Sequence, residues 1–124
     1  MRLVILESPY AATTPEAIAR NVAYARAAMR DCLMRGEAPY ASHLLYTQPS
    51  VLRDEDRAER SLGMKAGFAW HEAAEASVAY IDFGISPGMK TGMDRASKLG
   101  KPVETRRLEP AVVAAIVAAH PMTP

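Results

Sequence analysis

The sequence is poor in cysteine, almost neutral in charge and without any long apolar run. Cys32 is the single cysteine in 124 residues, which excludes an internal disulfide and is typical of a reducing cytoplasm. The formal net charge of +1 provides no bulk attraction to nucleic-acid polymers or anionic membranes. No apolar run approaches the ~20 residues that a membrane-spanning helix needs. We therefore expect a cytoplasmic protein with neither a membrane nor a nucleic-acid polymer as its partner.

Apolar strand candidates instead alternate with helical segments along the whole chain. The strand candidates are "RLVILE", "APYASHLLY", "SVAYIDF" and "PVETRRL", and the helical segments cover about 15–35, 57–76, 87–99 and 109–120. This alternation predicts an α/β fold, a doubly wound (flavodoxin/Rossmann-like) and mostly parallel sheet of about four or five strands with helices on both faces. No internal repeat or linker interrupts the pattern, so residues 1–124 are predicted to form a single domain.

The first predicted helix has a recognisable start and an apolar stripe. Thr13 or Thr14 can cap it, and Pro15 suits its first position. Gly36 is placed to end it. The helical period predicts that its buried face contains Ile18, Val22, Ala25, Met29 and either Cys32 or Leu33.

Polar and aromatic residues follow three of the predicted strands. In doubly wound folds the ligand lies outside the carboxyl ends of the strands, where the strand order reverses. The residues at these ends are Glu7, Ser8, Pro9 and Tyr10 for the first strand, His43, Tyr46 and Gln48 for the second, and Asp82, Gly84, Ser86 and Gly88 for the third. We expect these three segments to converge on one site.

The segment "GISPGMK" opens the helix that follows the third strand. Ser86 stands at the N-cap position, and Gly88 would let a ligand approach the backbone closely. The amide groups of Gly88 and Met89 would then donate to an anion such as phosphate. The alternative is that Ser86 only caps its own helix.

Tyr10, Tyr46 and His43 are the side chains that could contact an organic ligand. The two tyrosines could stack on a base, or they could simply be partly buried. His43 could contact a phosphate or act as an acid, or it could be an ordinary packed residue. No metal-ligand spacing surrounds His43, so we expect no metal, and nothing in the sequence indicates a cofactor.

The segments "ESPYA", "RNVAYARAAM", "HLLYTQP", "DFGISPGM" and "KLGKPV" together resemble the nucleoside 2-deoxyribosyltransferase-like superfamily. They are most similar to its short uncharacterised members from phages and bacterial genomes. The resemblance extends from Leu3 to about Leu108. It implies a doubly wound fold, a nucleoside or nucleotide in the cleft and a homodimer. The better-known members cleave or exchange the N-glycosidic bond of a deoxynucleoside or its monophosphate, with a glutamate nucleophile on the helix after the third strand.

The position that this resemblance assigns to the nucleophile is occupied by Gly92. Counting six residues on from Ser86 and ten back from Pro102 leads to the same residue. Since glycine has no side chain to attack a sugar, we expect a nucleotide- or nucleoside-binding protein that lacks the usual nucleophile. Because the cleft should be open to solvent there, we also expect Gly92→Glu to stay folded and to create slow cleavage.

The alternative is an active N-glycosidase or deoxyribosyltransferase that uses another carboxylate. Asp94 is the nearest on the helix, but it lies about 200° around the helix from Gly92 and could be an exposed partner of Lys98. Asp82 follows the third strand and could assist proton transfer. Glu7 is the remaining candidate, and each of these acids could instead be structural.

Overall fold

Four strands form one parallel sheet in the computed structural model, which describes residues 1–122. The strands are β1 (Arg2–Glu7), β2 (Glu37–Tyr40), β3 (Ala76–Tyr80) and β4 (Val103–Arg106), and their order across the sheet is β2-β1-β3-β4. All three strand pairs are parallel. The predicted doubly wound α/β fold is confirmed.

Helices connect the strands in the order that the alternation predicted. They are α1 (Pro15–Met34), α2 (Ser42–Leu45), α3 (Arg57–Ala69), α4 (Pro87–Lys98) and α5 (Pro110–Ala119). A short 3-10 turn, Trp70–Glu72, continues α3. The strand order reverses between β1 and β3, because the chain moves from β1 to one side of the sheet and later to the other. A ligand site is therefore expected at the carboxyl ends of β1 and β3.

The two faces of the sheet are packed by different side chains. One face is covered by α1 and α5 and forms the main apolar core, whose members are Val4, Leu6, Tyr24, Ala28, Cys32, Ala41, Ala76, Val78, Tyr80, Leu108 and Ile116. Successive strand residues point to opposite faces, so Ile5 and Glu7 face away from that core. Helix α4 packs against β1, β3 and β4 and buries Met89 and Ala96.

Three strand predictions were too long, and the fourth strand, predicted over 102–108, extends only over Val103–Arg106. The second strand ends at Tyr40, and the residues from Ser42 form the single turn α2 instead of further strand. Pro39 lies in β2, where an edge strand tolerates its missing N–H. The carbonyl of Ala41 then accepts the amides of Leu44 and Leu45, which closes the helical turn. The third strand ends at Tyr80, and Asp82 lies in the turn that follows.

The buried face of α1 differs from the predicted stripe. Thr14 caps the helix by accepting the amide of Ala17, so the alternative cap at Thr13 was wrong. The buried residues are Ala17, Asn21, Tyr24, Ala25, Ala28 and Cys32, whereas Ile18, Val22 and Met29 are only partly buried. Alanine lets the helix approach the sheet closely, and Tyr24 can be buried because its hydroxyl is hydrogen-bonded. The predicted stripe is therefore right at Ala25 and Cys32, but the buried face as a whole is rotated toward Asn21 and Tyr24.

Candidate functional site

A cavity of about 310 Å³ opens at the carboxyl ends of β1 and β3. It lies on the sheet face opposite to α1, between α3 and the first turns of α4. Its lining comes from β1 and the loop after it, from α2, from the 52–60 segment, from α3 and from the opening of α4. The cavity is therefore at the reversal of strand order, where doubly wound folds bind their ligands.

Nine of the predicted site residues line this one cavity. They are Glu7, Ser8, Tyr10, His43, Tyr46, Ser86, Gly88, Met89 and Gly92. Pro9 and Gly84 do not line it, and Gly84 instead forms a turn with φ of 86°. Gln48 lines a neighbouring cavity and donates to the carbonyl of Leu44 at 2.9 Å. The three predicted segments thus meet in space, although not every residue in them reaches the cavity.

Glu7, at the end of β1, places its carboxyl against the backbone of α4 at Gly92. A Cβ atom at residue 92 would overlap Oε2 of Glu7 and would lie 2.7 Å from its Cδ. The absence of a side chain at position 92 therefore makes the room that the Glu7 carboxyl occupies. This contradicts the expectation that Gly92→Glu would be accommodated in open solvent, because Gly92 is buried and its side-chain space is already filled.

The Glu7 carboxyl has an unusual electrostatic environment. Within residues 1–122 it has neither a hydrogen-bond partner nor an ion-pair partner. Burial disfavours the charged form and raises the pKa of Glu7 to about 8. At neutral pH the group is therefore mainly a neutral carboxylic acid that can donate a hydrogen bond into the cavity.

A second polar group in the cavity is the pair formed by Ser8 and His43. The hydroxyl of Ser8 and Nε2 of His43 are 2.7 Å apart. Burial lowers the pKa of His43 to about 4, so its imidazole is neutral at pH 7. Helix α2 holds His43 in place, and α2 in turn packs closely on α3, where a Cβ atom at Gly67 would lie 2.8 Å from Oγ of Ser42.

Aromatic side chains form part of the cavity wall. Tyr46 hydrogen-bonds through its hydroxyl to the hydroxyl of Tyr40 and accepts from Nε1 of Trp70 at 3.2 Å. Tyr10 lies on a loop that Asn21 fixes by donating from Nδ2 to the Tyr10 carbonyl at 2.9 Å. Both tyrosines line the cavity, as does Phe68. Flat apolar surfaces of this kind suit a planar heterocycle.

The opening of α4 is less suited to phosphate than its sequence predicted. Oγ of Ser86 accepts the amide of Met89 at 3.3 Å, so that amide already has a partner. Pro87 has no N–H, which leaves Gly88 as the donor of these three helix positions that a ligand could use. Ser86 therefore caps α4, as the alternative interpretation expected.

The charges around the cavity also disfavour a doubly charged phosphate. Apart from His43 and His71, Arg60 is the one basic residue in the described lining. Its Nε lies 4.0 Å from Oδ1 of Asp54. Asp54 and Glu59 belong to the same lining, whereas the carboxyl group of Glu7 is neutral at pH 7. A neutral ligand would avoid repulsion from Asp54 and Glu59.

The two carboxylates that the sequence offered as catalytic groups lie outside this lining. Oδ2 of Asp82 accepts from the hydroxyl of Tyr24 at 2.6 Å and from the amide of Leu108 at 3.0 Å. It thereby ties β3 to α1 and to the segment before α5. Asp94 is exposed and pairs with Lys90 at 3.4 Å, where Lys98 was expected. A catalytic role for either stays a prediction that its position does not support.

Several lining residues were missed because they come from the middle of the chain. Leu52, Asp54, Glu59, Arg60, Gly63, Met64, Gly67, Phe68 and His71 line the cavity from α3 and the segment around it. The length and charge of the polar loop before α3 are typical of a segment that borders a site. They do not indicate which of its residues line the cavity. His71 is 3% exposed, and its Nδ1 has no partner among the residues the structure describes. Burial lowers the pKa of His71.

The geometry can be compared with known proteins. The model of a family described as a domain of unknown function (DUF7768) matches residues 2–106. A solved structure of a 2-deoxyribosyltransferase from Bacillus psychrosaccharolyticus is similar in fold, with a TM-score of 0.58 and 15% sequence identity over 98% of this chain and 92% of that one. A search of curated proteins gives no match.

The described helices include none with the length and hydropathy to cross a membrane, and the described residues contain no cluster of three or more metal-ligating side chains.

Proposed function

Because the chain belongs to the DUF7768 family and has the fold of a 2-deoxyribosyltransferase-like domain, we propose that it binds a nucleoside in the cavity between α3 and α4. The observation that carries the proposal is the convergence of Tyr10, Tyr46 and Phe68 with polar groups at the reversal of strand order. A volume of about 310 Å³ is near the lower end of the range for small-molecule sites and suits one nucleoside.

A nucleoside is favoured over its monophosphate by the charges of the lining. Glu7 carries a proton at neutral pH, but Asp54 and Glu59 line the same cavity. Arg60 is half-exposed and already near Asp54, so it gives little compensation for a dianionic phosphate. The Met89 amide is already hydrogen-bonded to Ser86. The expected ligand is therefore uncharged, with a flat base against the aromatic wall and its polar edge toward Glu7 or His71.

Isothermal titration calorimetry with 2′-deoxyadenosine, thymidine and their 5′-monophosphates tests this assignment. We expect a nucleoside to bind at least about tenfold more tightly than its monophosphate. Gly88→Val should abolish binding without destabilising the protein, because a Cβ atom at Gly88 meets nothing within 4 Å and the larger side chain would extend into the cavity.

The matched control is Ser97→Val, which places the same side chain on an exposed position of the same helix. It should bind nucleosides as the wild type does. The proposal fails if no nucleoside binds, if the monophosphate binds more tightly, or if Gly88→Val binds as well as Ser97→Val does.

We also propose that the protein is a cytoplasmic homodimer, as the single cysteine and the resemblance to deoxyribosyltransferase-like proteins led us to expect. Val112 and Val117 on α5 and Trp70 after α3 are exposed apolar side chains that a second copy could cover. Light scattering at micromolar concentration should give twice the chain mass of 13.5 kDa. A mass equal to that of one chain would contradict this assembly.

A further inference from the structure

The cavity contains one carboxyl group that is partly buried and has no partner within residues 1–122, and this group is Glu7. We propose that the Glu7 side chain is the general acid that cleaves the N-glycosidic bond of the nucleoside bound in this cavity. The inference rests on the nucleoside assignment made above and adds a reaction and a catalytic residue to it. It moves the catalytic group from α4, where the resemblance looked for it, to the end of β1.

The position of Glu7 supports this role. Its side chain follows Ile5 on the cavity face of β1, and its carboxyl lies against the backbone of α4 at Gly92. The carboxyl therefore fills the side-chain space of the helix position at which the sequence resemblance expects a catalytic glutamate. A carboxyl group therefore lies beside that helix position, and β1 supplies it instead of α4.

The lack of partners distinguishes Glu7 from the structural acids of this protein. Asp82 accepts two hydrogen bonds, and Glu37 pairs with Arg106 at 2.7 Å and 2.8 Å. Glu7 makes no such contact within residues 1–122 and lines the cavity instead. Leaving a buried carboxyl without a partner costs stability, and such groups concentrate at functional sites.

The protonated state of Glu7 suits an acid better than a nucleophile. With a pKa of about 8, Glu7 retains its proton at pH 7. A neutral carboxylic acid in an apolar pocket can protonate a leaving group, as general acid catalysis requires, but it is a poor nucleophile.

The reaction balances with water as the only co-reactant. Glu7 donates its proton to a ring nitrogen of the base while the bond between C1′ and that base breaks, and the bonding electron pair leaves with the base. Water then bonds to the electron-deficient C1′, and its surplus proton passes to the Glu7 carboxylate. The products are the free base and the free sugar, and the acid form of Glu7 is restored.

The experiment incubates the protein with 2′-deoxyadenosine and measures released adenine by chromatography, alongside calorimetric binding of the same nucleoside. Wild type is compared with Glu7→Gln, which preserves the shape of the side chain but cannot donate an acidic proton. Glu16→Gln is the matched control, because Glu16 is an exposed carboxyl in the first turn of α1. Asp94→Asn and Asp82→Asn test the two rival carboxylates.

We expect wild type and Glu16→Gln to release adenine at equal rates and Glu7→Gln to be slower by about 100-fold or more with unchanged binding. The wild-type rate should fall as the pH rises through about 8, because Glu7 then loses its proton. This pH profile also decides the question on wild type alone if Glu7→Gln does not fold.

Three results would overturn the inference. They are binding of 2′-deoxyadenosine without release of adenine, undiminished cleavage by Glu7→Gln, and a rate that increases through pH 8, which would indicate a carboxylate nucleophile. A larger loss in Asp94→Asn or Asp82→Asn would assign the role to that residue instead. Failure of every nucleoside to bind would refute the proposed function as well, so the two failures are distinguishable.

Discussion

Glu37 and Glu7 lie at opposite ends of neighbouring strands, and their carboxyl groups differ in their hydrogen-bond partners and in the direction of their pKa shifts. Glu37 begins β2, is 5% exposed and receives two hydrogen bonds from Arg106. The hydrogen bond from Arg106 is the main reason that the pKa of Glu37 is lowered. Glu7 ends β1 without any partner in the described chain, and burial raises its pKa to about 8.

The difference follows the division of the sheet into a packed face and a cavity face. On the packed face Tyr24 bonds to Asp82 and Tyr80 bonds to Asp31, each at 2.6 Å. On the cavity face Glu7 and Nδ1 of His71 lack partners among residues 1–122. The bonds of Asp82 and Asp31 hold the scaffold together, whereas Glu7 and His71 keep polar atoms available to a ligand.

The largest expected effect comes from removing the partner of Glu37. Arg106→Met should lower the free energy of unfolding by about 3–5 kcal/mol at pH 7, because it leaves a charged carboxylate buried with only Arg2 nearby. Urea unfolding measures the loss. The double variant Glu37→Gln/Arg106→Met should recover much of it, since no buried charge then remains. A loss below about 1 kcal/mol would show that the pair is dispensable.

Removing the charge of Glu7 should raise the free energy of unfolding, whereas removing Arg106 lowers it. The pKa of Glu7 is about 8 in the folded protein against an ordinary 4.5, so the folded state binds more protons between these values and its stability falls as pH rises through them. Glu7→Gln lacks this loss and should be more stable than wild type at pH 8, on the order of 2–4 kcal/mol. Urea unfolding at pH 5, 7 and 9 measures it, and parallel pH dependences in both proteins would contradict it.

The contact between Glu7 and Gly92 predicts a smaller effect. Gly92→Ala should cost about 1–2 kcal/mol, because the added methyl group overlaps the Glu7 carboxyl. The cost should disappear in a Glu7→Ala background, where the helix gains alanine without the clash. A double-mutant cycle in urea measures the coupling. Equal effects of Gly92→Ala in both backgrounds would mean that the two residues do not compete for space.

The smallest effect is expected at Asp94. Its pair with Lys90 is exposed, so Asp94→Asn should change the free energy of unfolding by less than about 0.5 kcal/mol. Nucleoside binding should also stay unchanged if Glu7 rather than Asp94 faces the ligand. Calorimetry with 2′-deoxyadenosine checks the second point, and a loss of affinity would place Asp94 nearer to the ligand than its pairing with Lys90 implies.

The fold could be predicted from the sequence because each apolar strand is followed by a segment with a helical period. The place of the site was also predictable, since strand ends converge in a parallel sheet. The sequence predicted less well which face of the sheet each side chain points to. "RLVILE" is apolar on both faces, so its pattern does not reveal which face Glu7 shares.

Distances between elements were the other missing quantity. The spacing from Ser86 and Pro102 identified Gly92 as a position without a nucleophile, but no pattern gives the distance between α4 and β1. The same lack of packing information led to the wrong buried face of α1, where alanines and Tyr24 are preferred to Ile18 and Val22. Contributions from α3, such as His71, depend on how a helix distant in sequence packs over the strand ends.

Because a Cβ atom at residue 92 would overlap the Glu7 carboxyl, positions 7 and 92 together have room for one side chain. A lineage that moved the carboxyl from the strand to the helix would have to shorten residue 7 before, or together with, lengthening residue 92. The reverse order would pass through a protein with two acids in the same space. The exchanged pair Glu7→Gly/Gly92→Glu is therefore reachable through an intermediate with glycine at both positions, which retains the cavity but has no acid there.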